Sequence, residues 1–340
     1  MINYEKNNIL SFVITTKNRC ETIKESLSHH CAALKREGLE NIVKIIIVDN
    51  GSTDNTLDFL RDFCLYHENI LVISNGYDIG FDKSLLVGLE SSKSRYVWCL
   101  QDHALVLIEE LKSIISLLEK LEIEYSYVFA PLQNIEKLNK IDDKKLHVIL
   151  RSDILNSNIF NRELFLPYYK KHIVEFGGSG LVFFLANVEM VISYGIERML
   201  ILDRVATIYQ HFQVLQKGTN DRWQKSHGGY ITVSVGYAKI IKYFIGRGLL
   251  SEAAIKRHLA VNDNGLNALH AFIKFRNLFS VSNVSVETAQ IITGIPNYSY
   301  IEKLLISEAL CGSRFKFAFL KVLDFPLVVY LKAKKWYSNN

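Results

Sequence analysis

"VKIIIVDNGSTDNT", residues 43–56, decides how the first third of this chain folds. Val43 and the run Ile45 to Val48 are β-branched with only Lys44 between them, the composition of a strand buried on both faces. The run stops at Asp49; Asn50 and Gly51 then read as a turn, with Ser52 or Thr53 capping a following helix. Asp49 is thus expected at the C-terminal end of a strand. There its carboxylate either accepts from a ligand or belongs to nothing more than a well-capped turn.

The alternation extends in both directions. "ILSFVIT" precedes a helical pattern over 21–36, "VKIIIV" one over 54–66, "ILVIS" one over 82–91 and "RYVWCL" one over 105–120, before a fifth run, "YSYVFA". Strands separated by single helices run parallel with right-handed crossovers, so the sequence predicts an α/β fold with a doubly wound, mainly parallel sheet. Polar clusters follow the first four strands: "TKNR", "DNGSTD", "NGYDIGFD" and "QDH". They share the edge where an open α/β sheet keeps its ligand.

The 340 residues, 49% of them hydrophobic, suffice for one large domain or two ordinary ones. Forty basic against 35 acidic residues leave a charge of +5, too mild for a dedicated nucleic-acid binder but suited to an anionic ligand or lipid headgroups. The five cysteines form no CxxC pair, so neither zinc nor a disulfide framework is expected, and reduced thiols in a cytoplasmic compartment are. "MINYEKNN" is polar where a signal peptide is basic and then apolar, and no apolar run reaches the roughly 20 residues of a spanning helix.

Beyond residue 130 the pattern is mixed. "KLNKIDDKK" reads as a surface loop, "GGSG" at 177–180 as a turn, Leu181 to Tyr194 as a helix closed by Gly195, and "MLILDRVATIYQ" as a strand. Residues 230–275 and 285–310 look helical. We expect one domain over 1–228, with a ligand half at 1–130 and a second half at 131–228, followed by a helical region over 229–340. In the tail, Arg314, Lys316, Lys321, Lys332, Lys334 and Lys335 flank two apolar runs broken at Pro326. This segment is expected either to lie on an anionic membrane surface or to pack as ordinary core.

The blocks "SFVITTKNR", "IIIVDNGSTDNT" and "IGFDKSLLVGLESSKSRYVWCLQD", with "NSNIF" at 156–160 and "GTNDRW" at 218–223, resemble the family 2 glycosyltransferases of the GT-A fold. Within that family the likeness is to bacterial sugar transferases of the abequosyltransferase type, which build surface polysaccharide. The resemblance implies an enzyme that passes a sugar from a nucleotide-sugar to a hydroxyl of a lipid-linked or polysaccharide acceptor; it is expected in the cytoplasm, either free or, through the basic tail, at the inner face of the cytoplasmic membrane. Two alternatives stay open: a glycan-binding or scaffolding relative without turnover, and a metal-independent transferase using a nucleoside-monophosphate sugar.

Residue by residue, Asp49 would accept from the nucleobase or ribose. Thr15 and Lys17 stand where the family usually carries Pro and an aromatic; with Asn18 and Arg19 they are expected at the donor, Lys17 either reaching a phosphate or solvated. Gly80 would allow close backbone approach, and Lys83 would meet the diphosphate at a helix start that Asp82 shares. After the fourth strand the family has an Asp-rich run; here it is Gln101, Asp102, His103 and Ala104, with one carboxylate. Gln101 and Asp102 are expected at the donor. Asp102 and His103 either hold a divalent cation, manganese in preference to magnesium, or the metal is absent. Inverting members carry an acid at the start of the helix from Leu181, yet Ser179 to Phe184 contain none. Glu175 is therefore the first candidate for general base and Asp221 the next, with Asp153 and Asp203 behind them. In the loop 218–229, Arg222 and Lys225 are expected to meet phosphates, Trp223 to stack on sugar or base, and His227 is a possible late metal ligand.

Overall fold

Strands β1 (Leu10–Thr16), β2 (Val43–Asp49), β3 (Ile70–Ser74) and β4 (Tyr96–Gln101) run parallel, in the spatial order β3-β2-β1-β4. They come from a computed structural model that describes residues 9–120, 125–131, 144–152, 155–209, 229–255, 285–294 and 300–311. The sheet continues past β4 through β7 (Asn158–Asn161), β6 (Tyr127–Phe129) and β8 (Met199–Ile201), with β7 antiparallel to both neighbours. Register sets Thr16 beside Asp49, Asp49 beside Ser74 and Thr15 beside Gln101. The polar ends of all four parallel strands therefore meet at one edge, as their sequences predict.

The strands are apolar on both faces because both are covered. On one side Phe12, Ile14, Ile45, Ile47 and Trp98 pack with Ile23, Leu27 and Leu34 of α1 (Cys20–Glu37) and with Leu111, Ile115 and Leu118 of α4 (Ile108–Lys120). On the other, α3 (Phe81–Ser91) lies so close that a Cβ at Gly88 would come within 2.5 Å of Val13 Cγ1 and 3.2 Å of Val48 Cγ2. Glycine at 88 is what lets this helix approach. Next come α6 (Arg162–Phe176) and α7 (Val182–Tyr194), which is buried from Val182 through Val191 and so is apolar there except at Asn187 and Glu189. Lys171 and His172 on α6 both engage the Glu189 carboxylate on α7 and tie the two helices together.

The helix expected over 105–120 begins later. Ala104–Val106 forms a short strand, β5, paired antiparallel with β9 (Thr207–Tyr209), and α4 starts at Ile108. Two histidines of α1 fix this strand: Val106 N–H donates to His30 Nε2 at 3.2 Å, and His29 Nε2 lies 3.2 Å from Val106 O. Likewise "MLILDRVATIYQ" is not one strand, since β8 and β9 belong to different sheets. Between them Leu202 N donates to Phe129 O and Leu107 N to Ala206 O.

The chain divides into two compact units, residues 1–220 and 221–340. In the second, helices Gly229–Gly246, Val286–Thr293 and Tyr300–Cys311 are described, and Phe244, Ile292 and Ile306 are buried. Among the described residues no helix is long and apolar enough to cross a membrane. The tail from Arg314 to Tyr337 lies outside the described residues.

Candidate functional site

The loop after β1 is sewn to the loop after β2. Asn18 sits in the left-handed region at φ 53°, which its short amide tolerates, and its Oδ1 accepts from Thr53 N at 2.7 Å. Asn18 N donates to Ser52 Oγ at 2.9 Å and Arg19 N to Thr56 Oγ1 at 3.0 Å. Ser52 and Thr53 are thus spent on Asn18 and, contrary to the expectation from the sequence, do not cap α2 (Thr56–Cys64); Asp54 Oδ1 instead accepts from Thr56 N at 3.0 Å.

The loop after β3 rests on the second. A Cβ at Gly51 would fall 2.4 Å from the Tyr77 carbonyl carbon, and φ at Gly51 is +71°, so only glycine fits. Asn50 Nδ2 donates to Asp78 Oδ1 at 2.7 Å, Asn75 Nδ2 to Asn50 Oδ1 at 3.1 Å, and Lys17 Nζ to Asp78 Oδ2 at 2.5 Å. Lys17 is exposed but engaged: its ammonium, with help from Gly80 N–H and Asn50, holds the Asp78 carboxyl below its ordinary range. Gly80 (φ +83°) has open space where a Cβ would stand, and Lys83 is exposed on the first turn of α3.

Asp49 is fully buried. Its Oδ2 accepts from Ser52 N at 3.1 Å, whereas Oδ1 has no hydrogen-bond partner among the described residues. A buried acceptor left unpaired costs roughly 1–3 kcal/mol.

At the end of β4, Asp102 is 6% exposed. Thr16 Oγ1 donates to its Oδ2 at 3.0 Å, Arg19 Nη1 lies 3.4 Å from Oδ1, and His103 Nδ1 lies 3.2 Å from the same oxygen. Gln101 N donates to Asn156 Oδ1 at 2.7 Å and Asn156 Nδ2 to Gln101 Oε1 at 3.2 Å, while Trp98 Nε1 holds Asn156 O at 2.8 Å. Asn156, Asp78 and Asn75 build the edge without being singled out by sequence, and Asn50, read only as a turn residue, bridges two of its loops. Side-chain amides that bridge distant loops leave no local pattern.

Asp82 has a role its sequence position does not suggest. Its carboxylate leaves α3 and accepts from Gly178 N and Gly180 N, both at 2.8 Å, and from Val182 N at 3.4 Å. Supplied from nearly a hundred residues upstream, it holds the "GGSG" turn and the first N–H of α7. Burial pushes its carboxyl up, and the three backbone N–H groups partly offset that. Glu175 lies exposed in the last turn of α6 and makes none of the bonds joining the strand-end loops. Asp203 is exposed beyond β8. Asp153, Asp221, Arg222, Trp223, Lys225 and His227 lie outside the described residues.

Among the described residues no three His, Cys, Asp or Glu side chains gather as ligands, and both Asp102 oxygens already accept from or pair with Thr16, Arg19 and His103. An ion on Oδ1 would also face the guanidinium.

A family model described as Glycosyl transferase family 2 matches residues 11–186. An uncharacterized glycosyltransferase of Haemophilus influenzae is 30% identical over 112 residues, 33% of this chain and 33% of that protein, so the match spans about a third of its length. Among solved structures, Staphylococcus aureus TarS 1–349 in complex with UDP-GlcNAc superposes with a TM-score of 0.53 at 14% identity, over 96% of this chain and 92% of that one. The mannosyltransferase PcManGT of Pyrobaculum calidifontis, solved with GDP-Man and Mn2+, gives 0.54 at 12% identity over 99% and 86%. At these identities the two structures speak to the fold: the GT-A α/β sheet followed by a helical C-terminal region.

Proposed function

The chain belongs to glycosyl transferase family 2, and from that premise we propose that it transfers a sugar from a nucleotide-sugar donor to an acceptor hydroxyl. The observation that carries this is the buried, unpaired Oδ1 of Asp49 at the edge where four strand-end loops meet. A nucleobase N–H or ribose hydroxyl would satisfy that oxygen. Lys17, Arg19 and Lys83 supply positive charge for the phosphates, and Gln101 and Asp102 the floor beside them. The acceptor is a lipid-linked saccharide or growing polysaccharide of the bacterial surface, and the reaction inverts. Its hydroxyl oxygen attacks the anomeric carbon as the bond to the leaving phosphate breaks, and the hydroxyl proton passes to Glu175 or, failing it, to Asp221. Glu175→Gln is expected to slow transfer while sparing donor binding.

Two sources can neutralise a leaving diphosphate: a divalent ion on Asp102 and His103, as Mn2+ accompanies GDP-Man in the Pyrobaculum enzyme, or the chain's own cations. The engagement of Asp102 favours the second. A nucleoside-monophosphate donor would need less neutralisation still. Catalytic competence itself is separated from a purely glycan-binding role by release of free nucleotide. The protein works at the inner face of the cytoplasmic membrane, held there by the basic, apolar tail. Donor class is tested by thermal-shift measurements with UDP, GDP, TDP and CMP. One of these raises the melting temperature through linkage of binding to folding, and no shift with any would oppose the donor assignment.

A further inference from the structure

Asp102 is the one carboxylate at the end of β4, and the chain has already spent it. Its side chain is 8% exposed, with Thr16 on one oxygen and Arg19 and His103 on the other. Carboxylate-bound magnesium or calcium sits about 2.0–2.6 Å from its oxygen ligands and commonly draws on more than one carboxylate or on phosphate oxygens. A donor's own phosphates could complete such a shell around one carboxylate, but an ion on Oδ1 would be set against a guanidinium whose Nη1 is 3.4 Å from the same oxygen. Like charges at such spacing repel.

We propose that Arg19 supplies the fixed positive charge for the donor's diphosphate in place of a divalent cation, with Asp102 holding the guanidinium rather than an ion. This rests on the nucleotide-sugar assignment. Arg19 is placed for the task from two directions: its backbone N–H is fixed on Thr56 Oγ1 at 3.0 Å, and its side chain is drawn to Asp102. A guanidinium stays charged at all working pH values, and its planar fork can meet a carboxylate and a phosphate together, which a lysine ammonium does less well. Lys17, two residues earlier and paired with Asp78, adds a second cation on the same loop. The loops therefore carry their own charge to a position where a dianionic leaving group develops.

The test is isothermal titration calorimetry of the full chain with UDP, GDP and TDP, each in chelator and in manganese, for the wild type, Arg19→Gln and Arg19→Lys. Electron paramagnetic resonance of Mn2+ in the same mixtures provides a second readout. The expected result is a nucleoside diphosphate that binds equally in both buffers to within about twofold, with no protein-bound Mn2+ signal. Losing a charge-assisted phosphate contact should weaken binding about 10- to 100-fold in Arg19→Gln, with part of it restored in Arg19→Lys. Binding that demands manganese, with Arg19→Gln indistinguishable from wild type, would overturn the proposal and leave the donor assignment standing. Failure of every nucleoside diphosphate to bind the wild type in either buffer would overturn both.

Discussion

A carboxylate oxygen buried without a donor, as Asp49 Oδ1 is, opposes folding and favours a ligand, so stability and binding should respond to it in opposite directions. Asp49→Asn keeps an acceptor for Ser52 N–H and removes a buried charge. We expect a stability unchanged or raised by about 1 kcal/mol in urea denaturation, with nucleotide affinity down by at least about tenfold in calorimetry. A variant that is less stable and binds normally would mark Asp49 as a structural residue of the turn. At this scale Asp49 and Asp102 were legible in the sequence because a polar residue ending an apolar strand has one physical place to go. Lys17 was not: its partner Asp78 lies across two loops, and nothing near either residue announces the pairing. Nor was Asn156, whose amide reaches Gln101 from a segment 55 residues downstream.

Among the elements, α7 and β5 depend on contacts that local propensity does not contain. Asp82 receives three N–H groups from the turn preceding α7, and Asp82→Ala leaves them without an acceptor. The expected loss is about 2–4 kcal/mol of unfolding free energy, measured by denaturant titration. A loss below half a unit of kcal/mol would show that the turn holds itself. β5 depends on His30, which is fully buried, accepts from Val106 N–H through Nε2 and has its pKa lowered from 6.5 to about 3 by burial, with a smaller effect of His29. The unfolded chain binds a proton there below pH 6.5 and the folded one does not, so this contribution is complete above pH 6.5 and is lost as pH falls toward 3. The slope is up to about 1.4 kcal/mol per pH unit in that window. His30→Gln, which keeps an acceptor for Val106 without titrating, should flatten the difference in stability between pH 7.5 and pH 5. The same dependence of β5 on distant partners explains why residues 104–106 read as part of a helix: the apolar run fits either element, and only β9 and the two histidines decide between them.

For the whole molecule, the parallel half of the sheet and its ligand edge follow from the repeated strand–helix alternation of residues 9–120, where each apolar run is long enough to show its period. The remainder, β7, β6 and β8, does not, because these strands are three or four residues each and find their order through pairing. The proposed attachment to the membrane is tested with the full chain. Sedimentation with anionic liposomes at low salt should carry down the full chain but not a truncation after Cys311, and each basic residue near the surface is worth about 1 kcal/mol. Equal behaviour of the two chains would return the tail to an ordinary packing role. The central claim, that this edge takes a nucleotide-sugar and releases its sugar, is met most directly by measuring free nucleotide liberated from a panel of UDP-, GDP-, TDP- and CMP-sugars. The account predicts release from one nucleotide class, abolished in Asp49→Asn and undiminished by chelator; no release from any donor, or equal release by the variant, would contradict it.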